Sequence, residues 1–210
     1  MQLIYRLVRY SLCAFLTIKN RNFFPSKKQA VICLTFDDGP HPVHTKELLT
    51  LLNAFNAKAT FFVSGDQLEK HLDIGQLLVS QGHVLGNHTY SHALLVDLDQ
   101  AACQNEIKKC QNIIDSVTGC NCRKLFRPPR GLLPFMGVFW LMARKYHIVL
   151  WTVDSFDSHR WKGQQAVESL KQRVKPNAIV LFHDDCEIAY DALVELLPWW
   201  KAQNYEFRTL

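Results

Sequence analysis

The chain has 210 residues, 48% of them hydrophobic and 20% charged, a composition typical of a globular domain with one well-filled core. Lys and Arg outnumber Asp and Glu by 24 to 19, but six of these bases and none of the acids lie in residues 1–28. The rest of the chain is therefore close to neutral. This argues against a nucleic-acid-binding protein, because neutralising phosphates needs a basic face on the folded body.

The first 28 residues form a basic and apolar leader. Its uninterrupted apolar run, residues 10–18, is shorter than the roughly 20 residues that span a bilayer. No cleavage site with small residues follows it. Three interpretations stay open: a basic amphipathic helix on a membrane surface or packed on the domain, an uncleaved export signal, or a disordered leader. We expect the folded domain to occupy residues 29–210 and any peripheral membrane contact to be made by residues 1–28.

The seven cysteines are odd in number and irregular in spacing, which excludes a complete disulfide framework. Cys33 lies in an apolar stretch, where a free cysteine behaves as a small hydrophobic residue. Cys120 and Cys122 are the only close pair, and they lack the Cys-x-x-Cys spacing of a zinc knuckle. We therefore expect reduced thiols, and a cytoplasmic or cytoplasmic-membrane location rather than secretion.

From residue 30 onward, short apolar runs alternate with longer amphipathic stretches, which is the pattern of β/α units around a parallel sheet. This pattern predicts strands at 30–36, 59–64, 84–87, 125–127, 148–153, 179–183 and 205–210. It predicts helices at 44–55, 67–81, 99–118, 134–146, 164–174 and 190–203. The third helix has a capping residue, Asp99, at its start and Gly119 after its end. The sequence thus predicts one α/β domain, a closed or nearly closed barrel with its chemistry at the carboxyl ends of the strands.

Polar side chains follow the first and third predicted strands. Asp37 and Asp38 end the first strand before a Gly-Pro turn. Adjacent side chains on an extended backbone point apart, so one carboxylate can bind a metal and the other a water if the turn bends them toward one centre. His88 and His92 follow the third strand, and in a single helical turn both rings would reach one cation. Either motif alone is weak, since an Asp-Asp-Gly-Pro is more often a solvated turn.

Three later strands also end in polar residues. Two prolines after Arg127 fix its backbone angle, and an arginine beside a carboxylate stabilises the ionised form. Asp154 and Asp157 follow the fifth strand, and His183 ends the sixth. An imidazole there can donate a proton to a leaving amine while Asp157 holds its tautomer. Polar clusters at five successive strand ends predict an active site.

The segments TFDDGP, NHTYSH, RPPRG, WTVDSFDS and LFH resemble, in order and spacing, the five motifs of the NodB-homology polysaccharide deacetylases, which form carbohydrate esterase family 4. The resemblance extends over roughly residues 30–210. It implies a distorted (β/α)7-type barrel that hydrolyses an N-acetyl group on an amino-sugar glycan with one divalent cation. The glycan would be a chitooligosaccharide, peptidoglycan or a lipid-linked sugar, and zinc, cobalt and manganese suit the ligand set about equally.

The resemblance also implies roles for individual residues. Its metal ligands would be Asp38, His88 and His92. Asp37 would be the general base, tethered by Arg127, and His183 the general acid, tuned by Asp157. Such a ligand set leaves coordination positions open for water and a substrate carbonyl, as metal-assisted amide hydrolysis requires.

The same resemblance implies a substrate-binding surface and shows two departures. Leu181 would line the acetyl pocket, and the backbone N–H of Arg130 would help to hold the oxyanion. Where the family usually has Trp after the aspartate of its fourth motif this chain has Ser158, and Trp161 offers a replacement aromatic wall. Arg130 replaces the usual aromatic residue of the third motif, and its side chain either favours an anionic or phosphate-bearing substrate or points into solvent.

Two alternatives to an N-deacetylase stay open. The first is a carbohydrate-binding pseudoenzyme impaired by the change at Ser158. The second is an amide hydrolase or deformylase that acts on a substrate other than a polysaccharide. The presence of Asp37, Arg127 and His183 argues against the first, because a pure binder needs neither a base nor an acid.

Overall fold

A curved parallel β-sheet organises the residues that the computed structural model describes, which are 30–119, 122–157 and 164–210. The strands are β1 (Val31–Asp37), β2 (Ala59–Val63), β3 (Val84–Asn87), β4 (Leu125–Phe126), β5 (His147–Ile148), β6 (Val153–Asp154), β7 (Ala178–His183) and β8 (Glu206–Phe207). The helices are α1 (His44–Ala54), α2 (Gly65–Lys70), α3 (Leu72–Ser80), α4 (Gln100–Thr118), α5 (Phe135–Ala143), α6 (Gln164–Arg173) and α7 (Ile188–Ala202). The leader predicted for residues 1–28 lies outside the described residues.

The strand order is β5-β4-β3-β2-β1-β7-β6, with β8 paired to the start of β1, and every pairing is parallel. The prediction of a distorted (β/α)7-type barrel is confirmed, in the form of a curled half-barrel. Although β5 and β6 follow one another in the chain, they lie at opposite ends of the sheet. Within the described residues the half-barrel is therefore open between these two strands.

The predicted strand 148–153 is wrong in one respect, because the structure divides it into β5 and β6. Between them the chain leaves one end of the sheet and reaches the other. The N–H of Val149 donates to the carbonyl of Phe126 (2.8 Å), and the N–H of Thr152 donates to the carbonyl of Ile179 (2.9 Å). These two bonds join the crossing segment to both ends of the half-barrel.

The central strand β1 is buried along its whole length, as expected for an apolar strand with both faces covered. Phe36 stacks between Phe61 and Phe182, with ring centroids 4.8 and 5.8 Å apart. The described cysteines have free thiols; Cys33, Cys103 and Cys110 are buried, and burial raises the pKa of Cys33 to about 12. The core thus lies on both sides of β1 and fixes its carboxyl end.

The helix predicted at 67–81 is two helices, α2 and α3, which meet at His71. This residue has φ −130° and ψ 51°, and its carbonyl accepts the first hydrogen bonds of α3. The change of direction lets α3 pack against α2 at Gly75, where a Cβ atom would lie 2.4 Å from Leu68 Cδ1. Helix α4 begins as predicted, since the Asp99 carboxylate accepts a hydrogen bond from the N–H of Ala102 (2.8 Å). None of the described helices is both long enough and apolar enough to cross a membrane.

Candidate active site

The carboxyl ends of β1, β3, β4 and β7 meet at one edge of the half-barrel. Asp37 and His183 are direct partners in the β1–β7 register. Asn87 of β3 pairs with Phe126 of β4, so the residues that follow, His88 and Arg127, also lie side by side. The parallel strands therefore bring residues far apart in the sequence to a single site.

Asp38, His88 and His92 converge in this site. The Asp38 Oδ1 atom lies 3.2 Å from His92 Nε2 and 3.5 Å from His88 Nε2, and one ligand atom of each residue lies within 4.8 Å of the others. The Nδ1–H of His88 donates to the carbonyl of Arg127 (2.7 Å), which leaves a lone pair on Nε2. Burial lowers the pKa of His88 to about 3, so the ring is neutral and can act as a ligand.

A divalent cation fits these three residues. The Asp38 Oδ1 atom is buried and accepts no hydrogen bond from the described residues. It lies 3.5 Å from His88 Nε2, which carries a lone pair, so two acceptor atoms point at one another. A buried group in this state is costly unless it is satisfied, and a cation satisfies it. The donor set suits zinc, cobalt or manganese.

The loop from His88 to His92 is irregular and does not form the single helical turn that would place both rings on one face. Thr89 and His92 have positive φ angles of 69° and 55°. The two backbone N–H groups after Thr89 donate to the Glu106 carboxylate of α4 at 3.0 and 2.8 Å. These long-range hydrogen bonds replace those of a helix, and the imidazole centroids still come within 5.0 Å.

Asp37 and Arg127 form a buried ion pair. The guanidinium donates from Nη1 to Asp37 Oδ1 (2.7 Å) and to Thr35 Oγ1 (2.9 Å), and Arg127 is fully buried. Its remaining N–H groups donate to the carbonyls of Val149 (3.3 Å) and Leu150 (3.5 Å) in the crossing segment. Burial raises the pKa of Asp37, and the charge of Arg127 opposes this rise. The carboxylate is thereby held rigidly with its other oxygen directed toward the metal-ligand cluster, 3.7 Å from a histidine Nε2.

His183 and Asp157 form a second pair on the other side of Asp37. The His183 ring donates from Nδ1 to Asp157 Oδ1 (2.7 Å), and the His183 backbone N–H donates to Asp157 Oδ2 (2.8 Å). Burial alone would lower the pKa of the ring, but the hydrogen bond and charge of Asp157 raise it to about 10. His183 is therefore protonated at neutral pH and can donate a proton from Nε2.

Asp184 is a residue of the site for which no role was predicted from the sequence. Its buried carboxylate accepts the backbone N–H of Gly39 at Oδ1 (2.9 Å) and the hydroxyl of Thr45 at Oδ2. A Cβ atom on Gly39 would lie only 2.1 Å from Asp184 Oδ2. This contact fixes the turn that follows Asp38. An acid at the end of a buried strand was the available signal, but its partners were not predictable from spacing.

The residues predicted to contact substrate do not form a cluster like that of the predicted metal ligands. Arg130 lies in the 3-10 turn Pro129–Gly131 with φ 54° and an exposed side chain. Leu181 is buried in β7, in register with Thr35 of β1. Trp161 and Ser158 lie outside the described residues.

A polar cavity of about 370 Å³ opens beside Asp38 and His92. Ser64, Asp66 and Asp185 contribute to its wall. Its volume is in the range of small-molecule sites, so the cluster is accessible to a ligand.

Comparisons with known proteins identify the relatives of this chain. Residues 25–146 match the polysaccharide deacetylase family model. A peptidoglycan-N-acetylglucosamine deacetylase of Bacillus cereus is 34% identical over 190 residues, covering 87% of this chain and 67% of the relative. A chitooligosaccharide deacetylase of Rhizobium leguminosarum is 34% identical over 154 residues, covering 73% of this chain and 67% of the relative.

A solved structure shows the same architecture. The peptidoglycan deacetylase PdaC from Bacillus subtilis superposes with a TM-score of 0.82 at 30% identity, covering 89% of this chain and 90% of that structure. Sequence and fold agree over nearly all of the described residues. The chain therefore belongs to the polysaccharide deacetylase (NodB-homology) family, carbohydrate esterase family 4.

Proposed function

We propose that this protein is a metal-dependent hydrolase that removes the N-acetyl group from an amino-sugar glycan. One observation carries the proposal: the Asp37–Arg127 pair and the His183–Asp157 pair lie next to each other beside the Asp38, His88 and His92 cluster. The named relatives act on peptidoglycan or chitooligosaccharides, which are both acetylated amino-sugar polymers.

Asp38, His88 and His92 would hold the cation, which when bound supplies positive charge that polarises a carbonyl and lowers the pKa of a water molecule. Asp37 accepts a proton from the attacking water, and Arg127 keeps its carboxylate ionised and oriented. The water oxygen then forms a bond to the carbonyl carbon of the acetamide.

His183 completes the reaction from the other side. Its Nε2–H protonates the amide nitrogen as the C–N bond breaks, so acetate and a free amino sugar leave. Asp157 holds the ring by Nδ1 and keeps it protonated. In this proposal the Arg130 backbone N–H stabilises the developing oxyanion, and Leu181 borders the acetyl group.

The proposal is tested by acetate release from acetylated chitooligosaccharides and peptidoglycan fragments, with zinc, cobalt or manganese added and with chelator as control. We expect release that requires the metal. In the matched pair of variants, Asp37→Asn should retain the metal and lose activity by about 10² to 10⁴-fold, the usual contribution of a positioned proton-transfer group. Asp38→Ala should lose both, because it removes the only anionic ligand of the cluster.

Two outcomes would contradict the proposal. Metal retention by Asp38→Ala together with metal loss by Asp37→Asn would reverse the two roles. A protein that binds the metal and the glycans but releases no acetate or formate would be a binding pseudoenzyme.

A further inference from the structure

Helix α5 has an apolar face that none of the described residues covers. The helix, with the sequence FMGVFWLMA, has no polar or charged residue. It carries four of the eight large apolar side chains that the described residues expose: Phe135 (56%), Met136 (59%), Phe139 (53%) and Met142 (51%). A helix that is apolar on every side is normally buried, so this face requires an occupant.

The chain segment that contains α5 is basic. The sequence from Ser116 to Val153 contains six Lys or Arg and no Asp or Glu, whereas the rest of residues 29–210 has twelve bases and nineteen acids. Arg130, Arg144 and Lys145 are exposed near the two ends of α5. Exposed positive charge therefore flanks both ends of the helix that carries these apolar side chains.

Aromatic and basic side chains are combined at the edge of the α5 face. The Trp140 ring has Arg144 Cζ 4.2 Å and Lys108 Nζ 5.8 Å from its centroid. Tryptophan with lysine or arginine is typical of the interfacial region of membranes, where the ring enters the headgroup layer and the charge stays with the phosphates. A mostly apolar cavity of about 130 Å³, lined by Leu95, Leu133 and Trp140, adjoins the helix.

Charge selects among the three possible occupants. The leader has six bases and no acid, so the basic residues around α5 would repel it. A second copy of the chain in a symmetric contact would bring two basic rims together. An anionic bilayer complements both the apolar face and its charged edge. We propose that the α5 face binds the surface of an anionic phospholipid bilayer.

The position of α5 in the fold determines how the domain would be oriented on the bilayer. Phe135 begins the helix a few residues after the 3-10 turn that carries Arg130, and this turn follows β4 at the catalytic edge. Met142 and Lys145 lie toward the opposite edge. A bilayer on this face contacts the side of the half-barrel, and the active-site edge stands beside the lipid headgroups. This inference does not depend on the proposed reaction.

The test is co-sedimentation of the full chain with vesicles of phosphatidylcholine alone or of phosphatidylcholine with phosphatidylglycerol. We expect binding to the anionic vesicles that weakens at high salt. Phe135→Glu/Phe139→Glu should lower the partition coefficient by about a hundredfold, since burial of each phenylalanine contributes about a factor of ten. The matched control, Leu72→Glu/Val194→Glu, places the same two charges at exposed apolar positions on α3 and α7 and should bind like the wild type.

A second variant keeps the test decisive if the first fails to fold. Arg144→Glu/Lys145→Glu retains the apolar face and reverses the sign of the charge at its edge. Binding to anionic vesicles should therefore fall, while the circular dichroism spectrum stays unchanged. Two binding results would overturn the proposal: equal binding by the α5 variants and the wild type, or equal binding to neutral and anionic vesicles. A third contrary result would be a wild-type protein that forms a dimer and does not bind vesicles, if Phe135→Glu/Phe139→Glu is monomeric.

Discussion

Asp37 and Arg127 show how a single buried pair joins stability to the candidate chemistry. The guanidinium satisfies Asp37, Thr35 and two carbonyls of the crossing segment. The positive charge of Arg127 is compensated by the Asp37 carboxylate, and both side chains are buried. Removing one partner of such a pair leaves an uncompensated buried charge, which costs more than the pair itself contributes.

We therefore expect Arg127→Met to reduce the free energy of unfolding by about 3 to 5 kcal/mol at neutral pH. The loss should shrink in acid, because protonation of Asp37 removes the unpaired charge. Chemical denaturation followed by circular dichroism measures both effects. Arg130→Met is the matched control in the neighbouring turn, and its exposed side chain predicts a change within about 0.5 kcal/mol. Equal losses in the two variants would show that the ion pair has no special role.

His183 and Asp157 predict the pH dependence of the proposed reaction. The proposed mechanism requires ionised Asp37 and protonated His183, so activity should fall below the raised pKa of Asp37 and above about 10, the pKa of His183. In Asp157→Asn, burial of His183 is no longer opposed by a paired charge, so its pKa falls. The alkaline limb of the kcat/KM profile should then move down by several pH units. If the alkaline limb does not move in Asp157→Asn, a group other than His183 causes the loss of activity at high pH.

The same pair affects stability in a fixed direction. The pKa of His183 rises from its ordinary value of 6.5 to about 10 on folding. Its protonation therefore contributes stability that is fully present below 6.5 and is lost as the pH rises through 10.

At the scale of elements, the turn after β1 depends on the end of β7. Asp184 follows β7 and accepts hydrogen bonds from Gly39 and Thr45, so one carboxylate connects β7 to the turn and to α1. Asp38, a proposed metal ligand, immediately precedes that turn and has φ 79°. A left-handed backbone at a non-glycine residue persists only when the surrounding structure holds it.

Asp184→Ala should destabilise the domain by about 1 to 3 kcal/mol for each partner left unsatisfied and should weaken metal binding, because the turn that positions Asp38 is released. Denaturant unfolding and calorimetric titration with zinc measure the two effects. Asp185→Ala is the adjacent control, an exposed carboxylate whose removal should leave stability nearly unchanged. Unaltered zinc affinity in Asp184→Ala would exclude the positioning role.

The elements also show what was predictable from sequence and why. Strand β3 and the start of α4 agree with the prediction because an apolar run and a capping aspartate are local signals. The split between β5 and β6 was not predictable, because the apolar residues 148–153 run on without a turn residue while hydrogen bonds to distant strands divide them. The conformation of the loop from His88 to His92 was also not predictable, because it depends on hydrogen bonds to Glu106 of α4. The position of the Asp184 carboxylate depends likewise on a hydrogen bond to Thr45, 139 residues earlier.

At the scale of the whole molecule, the charge is distributed unevenly along the chain. The leader and the chain segment that contains α5 are basic, and the rest of the domain carries an excess of acids. The β1 strand has its described partners in β2, β7 and β8, so residues 30–210 supply its hydrogen bonds without the leader.

Removal of residues 1–28 should therefore leave deacetylation of a soluble substrate largely intact, since the residues of the candidate site and the described core lie within 30–210. Membrane association should fall, because an apolar basic segment is lost, and what remains should become more sensitive to salt. Activity assays and vesicle sedimentation on the shortened chain measure both effects. An insoluble or inactive product would show that the leader is part of the folded core.

The buried free thiols allow the rate of local unfolding of this domain to be measured by chemical labelling. Only thiolates react quickly with alkylating reagents, and burial raises the pKa of Cys33, Cys103 and Cys110. Cys122 is exposed and Cys186 is partly exposed, so the described cysteines divide into an accessible and a protected class. A reagent added to the native protein labels the first class at once. The slower labelling of Cys33, Cys103 and Cys110, followed by mass spectrometry of their peptides, gives the rate at which the core around β1 and α4 becomes transiently exposed.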